Sequence, residues 1–353
     1  MIKKLKMNIP LLKEICEVAG TSGFENRVRN LIISEIEKIG AKYSIDNMGN
    51  LTVFVKGKDS TKKVMLGAHM DEIGFIVTHI DDNGFLRFHT LGGFDPKTLT
   101  SQRVIVHGKK DLIGVMGSKP LHVMTPEEKN KVPKTTDYFI DLGMSKKDVE
   151  KLISVGNPIT RERGFIEMGD CFNCKSLDNR ISVFILLELI KRLEKPSYDV
   201  YAVFTVQEEV GIRGANVATQ KIQPDFGFGI DTTIAFDVPG AANHEKITEL
   251  GKGVAIKIMD ASTICDTRMV AFMQDIASNN NIKWQNEILT AGGTDTSGIQ
   301  RMTPGGSIAG AVSIPTRHIH QVIEMVHKND VSNAIELLQK CLENMKSYNW
   351  DFK

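Results

Sequence analysis

The sequence predicts a mixed-sheet α/β domain split by a small inserted antiparallel β unit, a barrel or a sandwich. Three observations carry this. The chain has 353 residues, too many for one small domain, and 41% hydrophobic with 25% charged residues is an ordinary globular balance. From about Glu72 to Glu162, short alternating runs are separated by turn residues, the rhythm of a compact antiparallel unit. Beyond Gly164, apolar strand-like runs alternate with helical patterns, the signature of an α/β sheet. The predicted division is residues 1–71 with 164–353 as one α/β domain, and residues 72–163 as a β-rich insert.

In chain order, helices come first. Ser22 and Glu25 in SGFE read as a capping box. Val28, Ile32, Ile36 and Ile39 then recur at helical spacing until Gly40. KYSID and LTVFVKG read as strands joined by the turn NMGN. A charged turn, KDSTKK, leads to the strand VMLGAHMD. In the insert, GFIVTHI pairs with FLRFHT across DDNG, and RVIVHG with LIGVMG across KKD. A polar loop, SKPLHVMTPEEKNKVPK, follows. The strand DYFIDLG and a short helix from Ser145 to Ser154 close the unit. Next comes ISVFILLELIKRL, apolar on nearly every side and so a buried helix. YDVYAVFTV, DFGFGID, GVAIKIM, IKWQNEIL and SIAGAVSIP read as core strands. Helices are expected near Ile264–Ser278 and Asp330–Met345.

Composition excludes several function classes. Lys plus Arg number 44 and Asp plus Glu 43, so the net charge of +1 provides no basic field for nucleic acid. KNKVPK is a solvated loop, since no aromatic residues interleave with it. The apolar stretch ISVFILLELI is far short of a membrane span. The opening MIKKLKMNIPLL is basic but broken by Asn8, Pro10, Lys13 and Glu14, and reads as the lead-in to a helix rather than a signal peptide. Five cysteines in a chain this long make no disulfide framework and suit a reducing cytoplasm. Cys171 and Cys174 in CFNC lack the further ligands that a structural zinc requires.

The chemistry-bearing residues gather at strand ends. His69 and Asp71 end one apolar strand, Glu208 and Glu209 a second, and Asp231 a third; His318 and His320 follow a fourth. In an open α/β sheet such ends line the ligand crevice. Asp178 precedes the buried helix, where a helix N-terminus favours an ionised carboxylate. Two divalent cations would be balanced by Asp178, Glu209, Asp231 and one hydroxide, with neutral His69 and His320 completing the ligands. Glu208 is then free to shuttle a proton. Asp71, two residues beyond His69 on one strand face, is placed to orient its imidazole. GGTDTSG has two compatible readings: backbone N–H groups of Gly292 and Gly293 offered to a substrate carbonyl, or a turn before a helix capped by Thr294 or Asp295.

GAHMDEIGF, KSLDNR, VFTVQEEVGIRGA, GID, GGTDTSGI and IPTRHIH, in this order, resemble the signatures of the glutamyl/deblocking (TET) aminopeptidases, dinuclear metallopeptidases. LGGFDP and LIGVMGSKPLH extend the resemblance through the insert. It implies an α/β/α catalytic domain of the dinuclear zinc exopeptidase type with a PDZ-like β-barrel insert that helps oligomerisation. It implies His69, Asp178 (bridging), Glu209, Asp231 and His320 as metal ligands, Glu208 as general acid/base and Asp71 as orienter. It further implies two divalent ions (zinc or cobalt, with manganese possible), a cis Asp178–Asn179 peptide, peptide substrates trimmed from the N-terminus, and self-association to dimers and tetrahedral dodecamers. Two departures stand out: His318 takes the place of the family's usual tyrosine, and Gln321-Val322 that of a serine-proline pair.

Rival readings are an endoglucanase-type glycosidase built on paired acids, a non-catalytic peptide-binding scaffold, and a carboxypeptidase or deacylase of the same clan. His79, His89, His107, His122, His244 and His327 have no supporting constellation and read as structural, and a packed or solvent-facing role is favoured for His318.

Overall fold

A computed structural model describes residues 7–352. The basic opening, residues 1–6, lies outside the described residues. The first described helix, Ile9–Glu17, starts where Asn8 accepts a hydrogen bond from the Leu11 N–H and Pro10 occupies the first turn. It buries Leu11, Leu12, Ile15 and Cys16.

The centre of the molecule is an 11-stranded mixed sheet. Its middle strands, in spatial order Tyr198–Thr205, Asp59–His69, Phe226–Ile234 and Ile308–Arg317, run parallel. Their near-continuous apolar runs follow from cover on both faces. Val64 and Leu66 point into the larger core with the buried helix Leu177–Arg192; Met65 points the other way, against Ala218, Ile222 and Ile299. Helices therefore cover both sheet faces, the α/β/α arrangement that the family resemblance implies. Leu177 through Ile190 are all buried. At one edge Cys171–Cys174 pairs with Glu324–His327 and with Ile166–Met168, three short strands that the hydrophobic pattern is too brief to announce.

The second unit is a closed barrel of six strands: Gly74–Ile80, Leu86–Leu91, Phe139–Asp141, Asp111–Gly117, Arg103–His107 and Pro158–Arg161. Its own core includes Phe75, Leu86, Val104, Ile140 and Ile159. The last strand, PITR, carries too few alternating residues to be read from sequence, yet it closes the barrel by pairing on both sides. The chain enters just after His69 and leaves just before Ile166, so the barrel hangs from the end of a central strand. Arg27 reaches across to Asp111 with two hydrogen bonds, 2.6 and 2.8 Å.

Three local expectations are corrected. KDSTKK is not a turn as a whole: the strand begins at Asp59 and pairs from there with Tyr198, the bend is confined to Lys58, and at Gly57 before it a Cβ would sit 2.2 Å from the Tyr198 carbonyl carbon. Ser22 and Glu25 form no capping box. The helix starts at Asn26 without a side-chain cap, because both side chains are recruited elsewhere. The polar loop is not wholly irregular, since Thr125 and Glu128 cap one helical turn, Pro126–Lys129. The late helices run Thr267–Asn279, entered through an Asp266 cap, and Lys328–Asn344, entered through a His327 cap.

Candidate active site

Strand register brings the first residues together. His69 lies opposite Thr205, and Gly67 opposite Gly229, so two residues further on Asp231 stands level with His69. Asp178 arrives from the start of the buried helix, where the Asp178–Asn179 peptide is cis. Glu208 and Glu209 follow the Tyr198–Thr205 strand. His320 sits in the turn after Ile308–Arg317, with φ of +62°.

These side chains form two groups. His69, Asp178 and Asp231 offer ligand atoms to one point; Asp178, Glu209 and His320 offer them to another. His69 Nε2 is 3.4 Å from Asp178 Oδ1 and 3.6 Å from Asp231 Oδ1. His320 Nε2 is 3.4 Å from both Asp178 Oδ2 and Glu209 Oε2. Asp178 thus turns one oxygen to each group. Charge-assisted hydrogen bonds are shorter, about 2.7–2.9 Å. A tetrahedral site with bonds of about 2.0–2.1 Å, in contrast, spaces its ligand atoms about 3.3–3.4 Å apart. The spacing matches coordination better than direct pairing. Glu209 Oε1, moreover, is buried without a hydrogen-bond partner. The donor set fits divalent cations.

Charge points the same way. Asp71, Asp178, Glu208, Glu209, Asp231 and Asp295 crowd around two imidazoles. Burial raises the carboxyls of Glu208 well above their usual range and that of Glu209 to about 8, with neighbouring carboxylates adding to both. Burial and nearby carboxylates likewise raise Asp295 to about 7. Burial opposes charge on His69 and His320, but the surrounding carboxylates outweigh it and lift His320 to about 10. So many uncompensated acids in one cavity call for bound positive charge.

His69 Nδ1 lies 3.0 Å from the Asp71 carbonyl oxygen. A carbonyl can only accept, so Nδ1 carries a hydrogen, and Nε2, which faces Asp178 and Asp231, is the atom left to ligate a cation. The Asp71 carboxylate is farther, 3.5 Å from Nδ1. It instead accepts from Ser22 Oγ at 2.6 Å and from the backbone N–H groups of Glu208 and Glu209 at 3.0 and 3.2 Å. The i, i+2 spacing brought Asp71 to the right side, but the strand ends at His69 and the carboxylate swings under the Glu208–Glu209 turn. Glu208 belongs to neither ligand group; its Oε2 is 3.8 Å from His69 Nε2.

A cavity of about 460 Å³ opens from these groups, walled by Ile234, Leu289 and Ile319 and by Gly292 and Gly293. Gly292 has φ of +71°, and Thr294 precedes a helix, Asp295–Arg301, without a side-chain cap. The insert contributes as well: Gly93 packs so near His320 that a Cβ there would lie 3.5 Å from the ring. His318 makes none of the carboxylate contacts of His320 among the described residues. Cys171 and Cys174 are free thiols on the strand next to the sheet edge.

Sequence reasoning missed several supporting groups. Lys257 lines the cavity while fully buried between Asp260 and Glu287, at 3.0 and 2.9 Å. A lysine inside the otherwise apolar GVAIKIM was the available signal. Arg180, also fully buried, donates to the carbonyls of Met70, Ile15, Val18 and Gly20, and so fastens the N-terminal segment behind His69. Thr205 donates to Asp295 beneath the site.

Residues 49–337 match the M42 glutamyl aminopeptidase family. A protein of Acetivibrio thermocellus described as a putative aminopeptidase is 38% identical over 94% of this chain and 97% of its own length. The structure of an aminopeptidase from the archaeon Desulfurococcus kamchatkensis superimposes with a TM-score of 0.91 at 39% identity, over 95% of this chain and 94% of that one. That of a Pyrococcus horikoshii TET1 peptidase, which can assemble into a tetrahedron or a large octahedral shell, gives 0.85 at 34% identity, over 95% and 98%. With the three-layer sheet, the barrel insert and the strand-end cluster all in place, the chain belongs to the M42 glutamyl aminopeptidase family and is an aminopeptidase, a hydrolase.

Proposed function

We propose that the protein is a metal-dependent aminopeptidase that removes N-terminal residues from peptides at a two-cation centre. The observation that carries this is Asp178, whose two oxygens face separate imidazole-carboxylate groups. His69 and Asp231 would hold one ion, Glu209 and His320 the other, and Asp178 both. Mixed nitrogen and oxygen donors without thiolate suit zinc or cobalt, with manganese also compatible. Such a pair supplies Lewis acidity toward a carbonyl and lowers the pKa of water toward neutrality.

The chain's own residues do the rest. Glu208, buried and proton-affine, takes the proton of the attacking water and delivers it to the departing amine nitrogen. Asp71 holds the backbone on which Glu208 and Glu209 ride. The uncoordinated acids of the cavity attract the substrate's free ammonium group. Gly292 and Gly293 edge the cavity, where backbone N–H groups can meet a substrate carbonyl.

The insert, residues 72–163, is read as an assembly module. Ile113, Val115, Leu121 and Val123 are exposed on it, an apolar surface suited to a second copy of the chain. The tetrahedron that the TET1 relative can form, and the dodecamer in the PhTET1-12s structure, support a dimer-based dodecamer here. All five cysteines are free, which suits a cytoplasmic location. Among the described residues, no helix is long and apolar enough to cross a membrane.

The direct test is a peptide-library digest with zinc, cobalt or manganese, read by mass spectrometry. Shortening at the N-terminus is expected. Shortening at the C-terminus, or cleavage that survives chelation, contradicts the reading.

A further inference from the structure

Two ligands of one group, Asp178 and His320, are tied together from behind by a residue that is not itself a ligand. Glu324 begins the short strand Glu324–His327, which lies between Ile308–Arg317 and Cys171–Cys174 in the sheet, and is fully buried. One of its oxygens, Oε2, accepts the backbone N–H of Asp178 at 2.8 Å; the other, Oε1, accepts the backbone N–H of His320 at 3.0 Å. Asp178 and His320 are 142 residues apart in sequence and arrive from different elements, a helix start and a post-strand turn. Their side chains meet at 3.4 Å on the cavity side. A single carboxylate behind them therefore sets the distance between the two main-chain segments.

We infer that Glu324 is a positioning residue that fixes the Asp178–His320 span and thereby sets the cation affinity of the Asp178–Glu209–His320 group. Three features support this. The carboxylate spends both oxygens on the two ligands' own peptide groups, so any shift in its position moves both side chains. The His320 backbone is left-handed, φ +62°, a conformation that costs a non-glycine residue energy and needs an external hold. Glu324 is itself fixed: its strand pairs with Cys171–Cys174, and the Asn173 amide donates to the Glu324 carbonyl oxygen at 3.0 Å. In IPTRHIHQVIE the glutamate lies four residues after His320, spaced to fold back on that residue's own N–H.

This inference rests on the two-cation reading, and its test separates the two. Glu324→Gln keeps the volume but presents one carbonyl oxygen and one NH₂, so one backbone N–H faces a donor instead of an acceptor. Metal-free parent and variant are titrated with Zn²⁺ by calorimetry, and bound metal is counted after dialysis. The parent should take two equivalents. The variant should weaken the binding step of the Asp178–Glu209–His320 group by roughly 10- to 100-fold, and that of the His69–Asp178–Asp231 group, which shares Asp178, by less. Activity followed against Co²⁺ concentration should show its half-saturation point displaced by a similar factor, with kcat recovering at saturating metal. A merely structural role predicts the reverse: unchanged affinities, and a loss of kcat that added metal does not repair. Glu324→Asp, which keeps the charge but reaches only one N–H, should shift the same binding step, and serves if the Gln variant fails to fold. If the parent binds no divalent ion, the two-cation reading itself is lost. If the parent binds two and both variants bind two with parental affinities, only the role of Glu324 is lost.

Discussion

Ser22 Oγ donates a 2.6 Å hydrogen bond to Asp71 Oδ2, joining the loop before the second helix to the carboxylate beneath the Glu208–Glu209 turn. Both residues are buried, so water cannot replace the contact. Asp71 keeps its two backbone donors when the hydroxyl is removed. Ser22→Ala should therefore fold, with stability lower by about 1.5–3 kcal/mol, the range for a hydrogen bond to a charged group. It should also lower kcat several-fold by loosening the Glu208 backbone, with KM less affected. Denaturant unfolding and steady-state kinetics on an aminoacyl reporter measure both effects. Unchanged stability would show that the contact contributes nothing.

Glu208→Gln separates proton transfer from metal binding. Glu208 lies outside both ligand groups, so the variant should retain the parental metal content. Its amide cannot shuttle a proton, and turnover should fall by on the order of 100-fold or more. Metal analysis alongside kcat distinguishes the outcomes. Parental turnover in the Gln variant rules out the acid/base assignment.

How much of this site the sequence made legible depends on the kind of constraint. His69, Glu209 and Asp231 are readable because apolar strands terminate abruptly in charge, and a parallel sheet aligns such termini. The barrel is readable from its alternation, except for PITR, whose partners lie far away in sequence. Ser22 and Glu25 mislead because serine with a glutamate three residues on satisfies a local capping rule, while the fold spends both side chains on contacts 49 and 182 residues distant. Glu324 is invisible for the same reason: its function lies in main-chain donors brought together only by tertiary structure. KDSTKK misleads because its polar side chains fit a turn as well as an exposed strand start.

Chelation should abolish activity reversibly and also loosen the fold. Without cations, the acids around Asp178 repel one another in a buried cavity. A ligand that binds only the native state stabilises it by about 4 kcal/mol when its free concentration exceeds Kd a thousandfold. The melting temperature should therefore drop on EDTA treatment and return on adding zinc, cobalt or manganese, in step with activity. An EDTA-treated protein, verified metal-free, that melts at the parental temperature would contradict the ligand assignment.

Glu25 makes a pH-dependent prediction. It is 4% exposed, and its Oε1 accepts both the Gly23 N–H at 2.7 Å and the Gln207 N–H at 3.1 Å. Burial, with the nearby Asp71 carboxylate, raises its carboxyl to about 7. A carboxyl whose folded value is raised is easier to keep protonated in the native state. Its ionisation therefore costs stability as pH rises above the unfolded value of about 4.3, and the cost levels off above about 7. Glu25→Gln keeps a carbonyl oxygen for the two N–H donors and removes the charge. The variant should match the parent near pH 4.5 and exceed its stability by roughly 2 kcal/mol at pH 8, since each pKa unit corresponds to about 1.4 kcal/mol and bound cations offset part of the repulsion. Urea unfolding of both proteins across pH 4.5–8 checks the sign. A variant less stable than the parent at pH 8 would mean that the ionised carboxylate is itself a stabilising acceptor, held by the Gly23 and Gln207 donors more strongly than burial and Asp71 oppose it.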